Sequence, residues 1–247
     1  MVLPLSVTII ASNEEQNIGR CLRSIRDLAD EIIVVVNDCH DKTVEIAKAF
    51  NAKVYEEIWH GFSQQKNLAL HHASQPWILC IDADEEVDGE LHDSIASFIK
   101  ANDHAYSGAY FARSTFFINR WIRHGDWTPD YKTRLLRKKH GSWTADRVHE
   151  KLNISGQIKK LEGHLLHYSF KSVEDYMKKN VKYAELFESP QERSIPIILL
   201  HSCWKFIRGY LFKLGFLDGF PGFYIAYTQA FFTSYKYMRI LAKNRNK

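Results

Sequence analysis

Residues 77–84 read Trp-Ile-Leu-Cys-Ile-Asp-Ala-Asp, an apolar run that stops at two carboxylates one residue apart. An unbroken run of this length marks a strand buried on both faces, since a half-exposed strand would alternate polar with apolar residues. Toward the N-terminus, Leu5 to Ile10 and Glu31 to Val36 are runs of the same kind, and Lys53 to Tyr55 is a shorter one. Between them Ile18, Cys21, Leu22 and Ile25 recur at helical spacing, Thr43 to Phe50 follows Asp41 as its N-cap, and Phe62 to Ala73 forms another helix. The alternation predicts an α/β fold: a mostly parallel, Rossmann-like sheet flanked by helices. In open sheets of this type ligands bind beyond the carboxyl ends of the strands. Ser12-Asn13-Glu14-Glu15, Asn37-Asp38 and Asp82-Ala83-Asp84-Glu85 occupy those ends and are the candidates for chemistry.

The chain has 247 residues, 45% hydrophobic and 25% charged, which excludes a disordered or low-complexity protein. Four scattered cysteines, with no CxxC pair, exclude a disulfide scaffold and a paired-cysteine zinc site, so reduced thiols in the cytoplasm are expected. The first residues carry no basic segment ahead of an apolar one, and secretion is not expected. The net charge of +4 is unevenly spread, because residues 194–247 hold eight Lys or Arg against one acid, Asp218, together with 13 of the 33 aromatic residues. A basic, aromatic segment of this kind points to an anionic membrane surface and away from nucleic acid. Lys205, Arg208, Lys213 and Asp218 interrupt it too often for a membrane span. Helices over 196–213 and 222–239 are expected to lie on a bilayer with Lys205, Arg208, Lys236 and Arg239 toward the headgroups; the alternative is that they pack on the catalytic domain.

Neither GxGxxG nor GxxxxGK[ST] occurs, which argues against dinucleotide and P-loop binding. Asp82 and Asp84 at a strand end can instead hold one hard divalent ion, Mg²⁺ or Mn²⁺, whose remaining positions go to phosphate oxygens. Each candidate has a plainer alternative. Asp82 and Asp84 can be solvated turn residues, the Asn13-Glu14-Glu15 cluster a helix cap, Gln65-Lys66-Asn67 a solvated helix face, and Glu150 a surface ion pair. His167, in an apolar run, can be an ordinary core histidine.

The segments SVTIIASNEEQNIGRCLRSI, DKTVEIAKAFNAKVYEE, GFSQQKNLAL and WILCIDADEEV together resemble family 2 glycosyltransferases of the GT-A fold. FFINRWIRHGDWTPDYKTRLLRK, DRVHEKL, LLHYSF and FIRGYLFKLGFLDGFPGFYIAY resemble the bacterial branch with lipopolysaccharide-core β-1,4-glucosyltransferases. The resemblance implies a GT-A domain over 1–170, a helical extension over 171–247, and inverting transfer of a hexose from a UDP-sugar, most simply UDP-glucose, to a glycolipid acceptor. It implies that Ser12, Asn13, Glu14, Asp38, Lys66 and Asp82 bind the nucleotide sugar, and that Asp84 and Asp82, joined by His167, hold the metal. Glu150 becomes the catalytic base, and His124, Trp127, Arg134 and His149 fall on the acceptor side. Relatives carry an acid where this chain has Val36, leaving Asp38 or Asn37 for the base contact. It also implies work at the cytoplasmic face of the inner membrane. A nucleotidyltransferase and a non-catalytic binding module of the same fold remain as alternatives; the first lacks its Gly-rich phosphate loop here, and the second leaves Asp82, Asp84 and Glu150 unexplained.

Overall fold

The computed structural model describes residues 3–144, 150–170, 172–187 and 193–245. The chain divides into two compact units, one of residues 1–113 and 131–167, the other of 114–130 and 168–247.

In the first unit, strands β1 (Leu3–Ala11), β2 (Ala29–Val36), β3 (Lys53–Glu56) and β4 (Trp77–Asp82) alternate with helices α1 (Ile18–Ile25), α2 (Thr43–Ala49) and α3 (Phe62–His72). Strands β3, β2, β1 and β4 lie side by side and parallel, as the apolar runs require. Alternate residues of one strand serve opposite faces: Val34 and Val36 pack with α1 and α2 residues, Ile33 and Val35 with Ala69 of α3. That double burial is why the strands carry no polar alternation. After β4 come β5 (Glu85–Val87), α4 (Gly89–Ala101), β6 (Tyr106–Phe117), β7 (Arg120–Trp121), β8 (Tyr131–Arg137), β9 (Gly141–Trp143), β10 (Leu152–Ile154) and β11 (Gln157–His167), of which β7 and the last residues of β6 fall in the second unit. The sheet continues past β4 as β8-β6-β11-β5, with β8 antiparallel to β4 and β6, and β5 antiparallel to β11. It is therefore mixed, with its parallel half at the N-terminal side. Strands β9 and β10 form a separate two-stranded ribbon. Asp41 is one residue outside the position expected for it: Lys42 flanks α2, while the Asp41 carboxylate accepts from the Thr43 and Glu15 N–H groups and so ties α2 to the loop after β1.

In the second unit, α5 (Val173–Leu186), α6 (Ile195–Ile207) and α7 (Gly219–Arg245) supply the helical extension. Phe117, Ile122, Tyr176 and Ile225 form its buried core, and Tyr176 Oη meets Thr228 Oγ1 at 2.9 Å. Helices α6 and α7 are joined by a π turn, Arg208–Phe212, and a 3₁₀ turn, Gly215–Asp218. Among the described residues no helix is long and apolar enough to cross a membrane. Two cations expected at headgroups are engaged elsewhere: Arg239 donates to the Ala184 and Glu185 carbonyls at the end of α5, and Lys236 lies over the Phe187 ring.

Candidate active site

Strand pairing delivers the site residues from distant parts of the chain. Asp82 ends β4; Leu135 of β8 pairs with Leu79, which brings the neighbouring Arg134 to the same strand end. The Arg134 guanidinium reaches Asp82 Oδ2 at 2.8 Å and Glu85 Oε1 at 3.0 Å, while Lys66 Nζ from α3 lies 2.9 Å from Asp82 Oδ1. Glu85, fully buried, also takes the Asp82 N–H at 2.9 Å and pairs with Arg113 at 3.3 Å. Lys66 Nζ bridges on to Glu150 Oε1 at 3.1 Å, joining residues 84 positions apart, and sits 4.5 Å from the centre of the Trp143 ring. Burial pushes the Asp82 pKa upward, yet Arg134 and Lys66 outweigh it and hold the carboxyl well below the usual range. The same two acids, Asp82 and Glu85, raise the Arg134 pKa against the effect of its own burial. Lys66, Asp82, Arg134, Trp143 and Glu150 line an open cleft of about 500 Å³, within the size range of ligand sites.

Asp84 is separate from that network. His167 pairs with Glu85 in the β11–β5 register, which sets its ring beside the residue before Glu85, and His167 Nε2 lies 3.4 Å from Asp84 Oδ2. His167 Nδ1 is buried and has no hydrogen-bond partner among the described residues. The Asp84 carboxylate suits Mn²⁺ or Mg²⁺ and the neighbouring imidazole nitrogen can join it on Mn²⁺, whereas the orphaned Nδ1 lacks the second partner that ordinarily fixes a ligating histidine. No group of three or more His, Cys, Asp or Glu side chains assembles a full metal cage among the described residues. Asp82, expected as a second ligand, has both oxygens on Lys66 and Arg134 instead.

The nucleoside-side candidates sit on two loops laced together. Asn13 Oδ1 accepts from the His40 N–H at 2.9 Å, and Asn13 Nδ2 donates to the Asp38 carbonyl at 3.4 Å. Both Asn13 and Asp38 have positive φ, 55° and 47°, a conformation that suits Asn and Asp better than most side chains. Ser12 and Asp38 are exposed beyond the strand ends. Glu14 turns back toward α1, where its Oε2 accepts from the Asn17 side chain at 2.7 Å; the N-cap of α1 is Asn17 and has no side-chain cap, so this bond is not the helix cap expected as the alternative. The solvated-face alternative for α3 fails, because Gln65 and Lys66 are buried. Asn67 meets Trp143 of β9 twice, its amide donating to the Trp143 carbonyl and its carbonyl accepting from the Trp143 N–H.

The acceptor-side candidates divide. Arg134 is 4% exposed and pairs with Asp82 and Glu85 where it borders the cleft. His124 belongs to the second unit, where its N–H and ring face the buried Asp218 carboxylate, and Trp127 packs there on Phe117, Phe170 and Tyr176. His149 lies outside the described residues. Sequence reasoning placed Glu85 in a candidate run without giving it a role, and missed Arg113 as a site residue. Glu85 stood beside the two aspartates in the run that was read, whereas nothing near Arg113 in the chain distinguishes it.

The family description "Glycosyl transferase family 2" matches residues 6–154. An uncharacterized glycosyltransferase of Rickettsia prowazekii is 31% identical over 89% of this chain and 80% of its own length. The lipopolysaccharide core biosynthesis glycosyltransferase LpsC of Rhizobium meliloti is 30% identical over 78% of this chain and 73% of its own. Among solved structures, S. aureus TarS in complex with UDP-GlcNAc superposes with a TM-score of 0.52 at 16% identity, over 92% of this chain and 81% of that one. The mannosyltransferase PcManGT of Pyrobaculum calidifontis, in complex with GDP-Man and Mn²⁺, gives 0.52 at 15% identity, over 75% and 62%. These two likenesses bear on the fold, which is of the GT-A kind.

Proposed function

The chain belongs to glycosyltransferase family 2, and on that premise we propose that it moves a hexose, with inversion, from a UDP-sugar to a hydroxyl of a glycolipid such as the lipopolysaccharide inner core. UDP-glucose is the donor we favour. LpsC supports the acceptor class, and TarS supports the donor class. The observation that carries the reading is Lys66 between Asp82 and Glu150 at the cleft, which sets a carboxylate able to serve as base beside the one expected to address the nucleotide.

Glu150 accepts the proton of the acceptor hydroxyl as that oxygen bonds to the anomeric carbon. The bond from that carbon to the diphosphate breaks, and its electron pair leaves with UDP. Asp82, fixed ionised by Arg134 and Lys66, addresses the nucleotide, and Ser12, Asn13 and Asp38 face the nucleoside. Lys66, Arg113 and Arg134 are matched by Asp82, Glu85 and Glu150 in ion pairs, so an arriving diphosphate adds charge that this set does not balance. We therefore assign Asp84 and His167 to a divalent cation, which when bound would offset the charge on the departing diphosphate. The Mn²⁺ of PcManGT supports that assignment. The proposed acceptor class supports work at the cytoplasmic face of the inner membrane.

UDP release from UDP-glucose with a purified lipid acceptor tests the reading. Turnover with UDP-sugars that stops in excess EDTA is the expected result. Preference for a nucleoside triphosphate by calorimetry, or no nucleotide binding at all, would reject it in favour of a nucleotidyltransferase or a binding module.

A further inference from the structure

The connection between α6 and α7 in the second unit exposes what a folded protein ordinarily hides. Leu211, Phe212, Leu214, Phe216 and Leu217 lie within seven residues and all are exposed, Phe212 at 69%, with Phe220 at 64% just beyond. An exposed apolar cluster of this density marks an interaction site. It is also held in one shape. Asp218, buried, accepts from the Arg123 and His124 N–H groups at 2.9 and 2.7 Å, and Gly125 donates to the Lys213 carbonyl at 2.8 Å. A Cβ on Gly215 would stand 2.7 Å from the Gly209 carbonyl oxygen, and one on Gly222 would stand 1.9 Å from that of Gly215, so these turns touch through bare backbone. Leu214 has φ of 57°, a conformation a leucine rarely adopts, and its side chain is exposed.

A collar of cations sits at the base of this tip. Lys205, Lys213 and Arg208 surround Asp126 at 2.8, 3.1 and 3.7 Å, and their side chains remain about a third or more exposed. One carboxylate faces three cations, which leaves two positive charges in surplus beside the apolar residues. Burial pushes the Asp126 pKa up, but Lys205 and Lys213 bring it below its usual value, so the carboxylate stays ionised and keeps the collar assembled.

We propose that this tip enters an anionic phospholipid surface, with Leu211, Phe212, Leu214 and Phe220 among the acyl chains and Lys205, Arg208 and Lys213 at the phosphates. The inference rests on the lipid-acceptor reading above and names the part of the chain that meets the lipid. Charge complementarity selects this occupant. Residues 194–247 contain a single acid, Asp218, and it is buried, so two copies joined through this face would set collar against collar. A lipid leaflet supplies both an apolar layer and a phosphate layer at its edge.

The test is co-sedimentation of the full chain with vesicles of phosphatidylcholine alone and of phosphatidylcholine mixed with phosphatidylglycerol. The native chain should bind the mixed vesicles, and each cation of the collar should contribute about fivefold to the partition. Replacing the exposed Phe212 and Phe220 by serine should lower binding by tenfold or more on the order expected for lost apolar burial, while Met238→Ser, at an exposed site far along α7, should leave it unchanged. Trp204, whose ring lies 5.7 Å from that of Phe212, should shift its emission to shorter wavelength on binding. Equal binding by the native chain and the Phe212/Phe220 variant overturns the tip. Native protein that stays in the supernatant overturns both the tip and the membrane placement, while UDP binding by calorimetry judges the catalytic reading separately. A native dimer made monomeric by the two serines, without lipid, assigns the face to a second copy and overturns the lipid.

Discussion

Two ion-paired carboxylates, one buried and one partly exposed, stand at opposite ends of the same parallel sheet and differ in what surrounds them. Glu31, at the amino end of β2, accepts from Ser6 Oγ, Lys53 Nζ, the Ser74 N–H and Ser74 Oγ, at 2.5 to 3.0 Å. Those donors close the network on itself and tie β1, β2, β3 and the turn before β4 together. Asp82, at the carboxyl end of β4, has two cations on it, but Lys66 runs on to Glu150 and the whole set borders an open cleft. The first arrangement spends its charge on holding strands; the second keeps charge where a ligand can compete for it. Ion pairing alone thus does not fix a role: Glu31, 5% exposed, is closed off by its donors, while Asp82, 25% exposed, keeps an open neighbour on one side.

The comparison breaks or sharpens under mutation, with the largest effect expected at the open end. Glu150→Gln keeps the shape but cannot take a proton, so kcat should fall about 10²-fold or more with UDP binding and Tm unchanged. Near-native turnover there would move the base elsewhere. Asp84→Asn should weaken divalent-dependent UDP binding by about tenfold or more, read by calorimetry with and without Mn²⁺; identical titrations would remove Asp84 from the metal. At the closed end, Glu31→Gln should cost about 2 kcal/mol of stability with kcat per folded molecule unchanged. A loss of kcat without a loss of Tm would erase the distinction between the two ends.

The same glutamate sets a pH dependence. Burial raises its pKa, but Lys53, Ser6 and Ser74 together bring it from 4.5 to about 2. A folded-state value below the unfolded one gives stability that is complete above about 4.5 and lost as pH falls toward about 2. Melting curves across that window should converge for the native chain and Glu31→Gln at the acid end. The smallest effect belongs to Lys53→Met, since the Lys53 side chain is 59% exposed and the Ser6 and Ser74 donors stay on Glu31, so Tm should fall less than in Glu31→Gln.

The parallel half of the sheet was legible because each of its strands is a continuous apolar run, a local signal. The antiparallel half was not. β6 carries Arg113, Ser114 and Thr115 amid apolar residues, and β11 begins Gln-Ile-Lys-Lys, so neither shows the run that identified β4. In the site, Asp82, Lys66 and Glu150 were named from motifs, and they meet. The ion pairs of Arg134 were not legible, because a basic residue on a strand says nothing of which carboxylate 52 positions away will claim it. Glu85 reads in sequence as a third acid after two others; only pairing of β5 with β11 turns it inward beneath two arginines.

Asn67 has a consequence for how the protein stays in solution. Trp143 lies opposite Leu152 in the β9–β10 ribbon, and its main-chain N–H and carbonyl both go to the Asn67 side chain. A primary amide presents one donor and one acceptor, the same pair that a neighbouring strand would offer. Helix α3 therefore supplies a single rung of a ladder to which, among the described residues, no further strand attaches, and the edge of a short ribbon is blunted against pairing with another chain. Asn67→Ala would leave that rung open, and the variant should gain a tendency to self-associate out of proportion to its loss of melting temperature.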